Sequence, residues 1–195
     1  WGVIRVKADK IWNVSAGKDV KVAVIDSGIQ RKHPDLIANI KGGISFMPGS
    51  PDQWDDESGH GTKVAGIIAA ANNDIGYAGV APEASLYAVK ISGKDGLSAT
   101  SDILSAIYWA ADNGMDIANL SLGMYIDPNI YPHIIADETA AADYAYARGV
   151  VLVASSGNAG IGSKPGESGD CANVIYPAAI GSVIAVGAIF PDNNI

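Results

Sequence analysis

Three polar residues stand where chemistry could be done. Asp26 closes the apolar run VKVAVID, which would leave a carboxylate at the exit of a strand. His60 follows in SGHGTKVAGIIAAANN, between Gly59 and Gly61, at what reads as the start of a helix. Asn158 lies in ASSGNAG, just past the run VVLVAS. Singly, each has an ordinary explanation: a strand-end aspartate caps a turn, binds Mg²⁺ or accepts a phosphoryl group, a lone histidine packs or caps, and an asparagine beside glycine makes a turn. Together they form a set. A carboxylate that orients an imidazole, an imidazole that takes a proton and an amide that donates to an oxyanion are what acyl transfer by serine requires.

The surrounding elements must bring these residues to one place. Short runs rich in valine and isoleucine predict strands at 20–25, 84–91, 116–122, 150–155 and 182–189, and amphipathic stretches predict helices at 101–114 and 133–149. Each helix closes on a glycine suited to the left-handed C-terminal position. Nearly continuous apolar strands joined by helices imply an α/β, doubly wound, mostly parallel sheet covered by helices on both faces. In such sheets ligands bind at the carboxyl ends of the strands, where Asp26 and Asn158 fall. The stretch GNAGIGSKPGESGD (157–170) reads as a loop within the domain.

Composition narrows the classes. The chain has 195 residues, 48% of them hydrophobic, enough for one substantial core and one domain. A net charge of −8 without lysine or arginine clusters argues against a nucleic-acid surface. No stretch reaches the roughly 18 apolar residues of a membrane span, and Trp1 opens no signal segment, so a secreted protein would already have lost its leader. Cys171 stands alone and can form no disulfide within the chain.

The segments VKVAVIDSGI, HPDL, SGHGTKVAG, NNDIGYAGVAPEASLYAVKI, ANLSLG and ASSGNAG, in this order, resemble the subtilisin-like serine proteases over essentially all of 1–195. The resemblance implies that His60 is the general base and acid, that Asp26 orients it, and that Asn158 donates to the oxyanion. It implies polypeptide substrates, bound as an added strand between Gly96-Leu97-Ser98 and Ser121-Leu122-Gly123. Ser121 to Gly123 and Ala154 to Gly157 would wall the main specificity pocket, and Ala159 leaves no carboxylate there to select a basic side chain. It also implies Ca²⁺, held by the Asp35 carboxylate, the Asn73 side chain and the carbonyls of Ala71, Ile75 and Tyr77. Secretion and an inhibitory propeptide are further expectations of the family.

Two departures qualify the match. Lys63 stands where the family usually has a second histidine, outside the triad. No serine of the chain sits in the G-T-S-M-A context of the family's nucleophile, and no G-x-S-x-G elbow occurs. The expectation is therefore a partial catalytic domain whose C-terminal part, with the serine and a helix covering the sheet, lies on another segment or on a separate C-terminal fragment. The chain alone is expected to be inactive and to expose an apolar patch. The alternatives are a pseudoprotease that binds peptide without turnover and, more remotely, a Rossmann-like cofactor binder, which lacks both glycine fingerprints.

Overall fold

The computed structural model describes residues 2–158 and 174–189; Ala159, Cys171 and most of the expected loop 157–170 lie outside the described residues. Within them, six strands form one parallel sheet: β1 (Lys21–Asp26), β2 (Ile40–Ser45), β3 (Ser85–Lys90), β4 (Ile117–Leu120), β5 (Val151–Ser155) and β6 (Val183–Val186), in spatial order β2-β3-β1-β4-β5-β6. The helices are α1 (Gly2–Arg5), α2 (His60–Ala69), α3 (Thr100–Asp112) and α4 (Pro132–Ala147). The five strands expected from periodicity are present, several trimmed at their ends. Both long helices are present too, and Gly114 (φ 64°) and Gly149 (φ 84°) terminate them in the left-handed conformation.

The chain moves from β1 out to edge strand β2, returns to β3, and then crosses β1 to reach β4. That crossover puts the carboxyl end of β1, and hence Asp26, at the point where the winding direction reverses, the usual ligand crevice of such sheets. Strand β2 was not legible in the sequence. Its IKGGIS carries two glycines, which weaken strand preference, and tertiary packing decides it: a side chain at Gly43 would collide with the Trp54 ring and the Ala88 carbonyl.

Alternate residues of β1 face two separate cores. Ala23 and Ile25 join Ile103 and Ile107 of α3 and Ala141 and Ala145 of α4 on one face, while Val22 and Val24 join Ala65 and Ala69 of α2 on the other. Burial of a side chain such as Ile107 contributes about 2–3 kcal/mol, which is what fastens α3 to the sheet. Helix α2 spans only the β1–β3 half of its face. On the other half Val151, Ile184 and Val186 are exposed, and no helix among the described residues covers them.

Candidate active site

Because every strand runs the same way, Asp26, Ser121–Gly123 and Ser155–Asn158 leave the sheet at one edge. The start of α2 is brought to that edge by two glycines with different duties. Gly59 has open space around its Cα and supplies the left-handed turn into the helix (φ 84°). Gly61 permits the close approach: a Cβ there would overlap the Gly28 carbonyl oxygen and sit 3.1 Å from Asp26 Cβ.

The consequence is a direct contact between His60 and Asp26. His60 Nδ1 lies 2.8 Å from Asp26 Oδ1 and 3.0 Å from Oδ2. Asp26 is 4% exposed and also accepts a 2.7 Å hydrogen bond from the Ser27 amide, whereas the His60 side chain is 56% exposed. A carboxylate beside Nδ1 selects the tautomer that donates from Nδ1 and leaves Nε2 as the acceptor. The imidazole is thus oriented from behind and free in front.

Asp26 and His60 line a cleft of about 300 Å³ with Gly96 and Ser98 on one segment and Ser121, Leu122 and Gly123 on another. Leu97, between Gly96 and Ser98, is 73% exposed and is not part of the lining. Ala154 is buried within β5, Gly157 (φ 118°) packs beside Ile175, and Asn158 is exposed just past the strand.

A Subtilase-family profile matches residues 17–195. Over all 195 residues the chain is 48% identical to subtilisin BL and 47% identical to subtilisin Savinase, both of Lederbergia lenta, and 43% identical to subtilisin E of Bacillus subtilis strain 168. It spans 65% of the length of the first two and 47% of the third. The chain belongs to the subtilase family.

In this subtilase the loop 71–77 folds around Asp35. The Ala71 amide donates to the Asp35 carbonyl (2.9 Å), the Tyr77 amide to Asp35 Oδ2 (3.3 Å), and the Ile75 amide to Asn73 Oδ1 (3.0 Å). Asp35 is buried, and its Oδ1 has no hydrogen-bond partner among the described residues. No group of three or more histidine, cysteine or acidic side chains that could hold a metal occurs among the described residues. The oxygen donors this loop offers are therefore mainly neutral, the Asn73 side chain and backbone carbonyls beside the Asp35 carboxylate, a donor set that suits Ca²⁺.

Sequence reasoning missed Asp56. It accepts hydrogen bonds from the amides of Ser58 (2.9 Å), Gly59 (2.8 Å) and Thr62 (2.9 Å), and from the hydroxyls of Thr62 (2.5 Å) and Ser27 (2.9 Å). Burial acts to raise its pKa, but the bonds from Thr62, Gly59 and Ser27 together outweigh it and hold the carboxyl below its ordinary value. Within Asp55-Asp56-Glu57 nothing marks this residue, because an acidic run reads as a solvated turn. The only available signal is its place six residues before Thr62, in the segment entering α2. Lys63 is exposed and makes no ion pair among the described residues.

Proposed function

We propose that the chain is the part of a serine endopeptidase catalytic domain that supplies the base, its orienting acid and the substrate-binding segments. On this reading the nucleophilic serine comes from a segment outside residues 1–195. The observation that carries it is the 2.8 Å contact of His60 Nδ1 with the buried Asp26 carboxylate, made inside a cleft also lined by Gly96, Ser98 and Ser121 to Gly123.

His60 Nε2 takes the serine proton as the hydroxyl attacks the scissile carbonyl, then gives that proton to the leaving amine. Asp26 keeps the ring in the required tautomer and stabilises the imidazolium between the two transfers. The Asn158 amide donates to the tetrahedral oxyanion. The substrate adds as a strand between 96–98 and 121–123, whose backbone groups pair with it while Ser121–Gly123, Ala154 and Gly157 wall the main side-chain pocket. That pocket favours large apolar side chains.

Ca²⁺ fits the loop 71–77: Asp35, Asn73 and the carbonyls of Ala71, Ile75 and Tyr77 would hold it, and the buried Asp35 Oδ1, which has no hydrogen-bond partner among the described residues, supports the assignment. Its contribution is structural, fixing a loop that leaves the end of α2. Secretion and an inhibitory propeptide partner belong to the same proposal. No helix among the described residues is long and apolar enough to cross a membrane.

The test is labelling of the intact protein with a fluorophosphonate, followed by peptide mass mapping. Label on a serine outside residues 1–195, abolished by His60→Ala, is the expected result. Absence of label, with peptides bound but not cut, would replace this reading with that of a non-catalytic peptide-binding module.

A further inference from the structure

A helix start is held to a strand end by no ladder of backbone hydrogen bonds, so the 2.8 Å His60–Asp26 contact needs another restraint to keep its geometry. The structure places one directly behind it. Asp56 Oδ1 accepts from the Ser27 hydroxyl, and that hydroxyl in turn accepts from the Gly61 amide at 3.0 Å. Ser27 is the neighbour of Asp26 and donates its own amide to the Asp26 carboxylate. Asp56 Oδ2 accepts from both the amide and the hydroxyl of Thr62, and Thr62 Oγ1 accepts from the Gln30 amide at 3.0 Å. Two ties therefore run between the segment leaving β1 (Ser27, Gln30) and the first turn of α2 (Gly61, Thr62), and one carboxylate anchors both. A simple helix cap would need only the Gly59 and Thr62 amides; the bond from Ser27 joins a second element.

From this geometry we infer that Asp56 is a positioning residue, which clamps the first turn of α2 to the end of β1 and so sets His60 Nδ1 against Asp26. The inference rests on the peptidase reading and adds to it a residue that never touches substrate. Both carboxylate oxygens are used only as acceptors, so an amide cannot replace them: in either orientation the NH₂ of asparagine would face N–H or O–H donors.

The experiment is Asp56→Asn in the intact protein, with two readouts. Steady-state hydrolysis of a chromogenic peptide is expected to show kcat lower by about 10²-fold with KM within about threefold, since a misplaced catalytic group slows the chemical step. The low-field proton resonance of His60 Nδ1–H is expected to shift or broaden. An unchanged kcat with an unchanged resonance overturns the inference, as does a change confined to KM. Should Asp56→Asn fail to fold, Thr62→Val decides the matter. It keeps the side-chain shape and deletes the hydroxyl link, and it is expected to lower kcat about tenfold and move the same resonance; parent-like values in both refute the clamp. If the parent protein hydrolyses nothing, the peptidase reading fails, yet the resonance still reports whether Asp56 fixes the His60–Asp26 pair.

Discussion

Glu138 is the sharpest place to test the physical reasoning, because nothing about catalysis is needed to perturb it. It lies on the inner stripe of α4 with Ala141, Ala142 and Ala145, is 2% exposed, and its Oε2 has no partner among the described residues. Burial pushes its carboxyl up from the ordinary 4.5 to about 7. Between those two values the folded protein holds the proton while the unfolded chain has released it. Stability therefore falls as pH rises from 4.5 to about 7 and stays at its lower level above that range. The gap corresponds to about 3 kcal/mol at alkaline pH. Glu138→Gln removes the ionisation and keeps the shape. In urea unfolding of the inhibited, intact protein at a series of pH values, the variant's advantage should be near zero at acid pH and grow to about 3 kcal/mol above neutrality. Glu138→Leu should show the same pH dependence on a higher baseline. An advantage that does not vary with pH, or a variant less stable than the parent at alkaline pH, would refute the account and mean that the carboxylate is ionised against a partner.

Three further outcomes follow from the same structure. Asp26→Asn should lower kcat by about 10⁴-fold with little change in KM, because the amide favours the wrong imidazole tautomer; peptide hydrolysis checks it, and a loss confined to KM would contradict the assigned role. Chelation of Ca²⁺ should lower the unfolding midpoint, and calcium at a hundred times its Kd should restore about 2.7 kcal/mol; Asp35→Asn should abolish that response in calorimetry, and an unaltered response would remove Asp35 from the site. The 195-residue chain on its own should enhance the fluorescence of a hydrophobic dye through the face of β5–β6 where Val151, Ile184 and Val186 are exposed among the described residues; Ile184→Ser should reduce the signal, and no signal from the parent chain would show that face to be covered.

What could be read along the chain was whatever depends on local geometry. The valine-rich runs and the amphipathic stretches mark β1, β3 to β6, α3 and α4, because strand and helix periods are properties of the backbone itself. Asp26 and His60 could be paired from sequence because, with Asn158, they make the set that acyl transfer by serine needs and stand in motifs that resemble the subtilisin-like proteases. The buried stripe of Glu138, Ala141, Ala142 and Ala145 is poorly marked in sequence, because a glutamate among alanines resembles an exposed helix face. Packing alone settled the rest. Strand β2 exists because its glycines let the backbone lie against Trp54 and Ala88, a contact between residues far apart in the chain. Gly59 and Gly61 look alike in sequence, and only the approach of Gly28 and Asp26 separates a turn glycine from a contact glycine. Asp56 looks like its acidic neighbours until Ser27 and Thr62 arrive from two different elements to bond it. Periodicity is a property of one segment, whereas a hydrogen-bond network belongs to the space between segments and comes into being only when they meet.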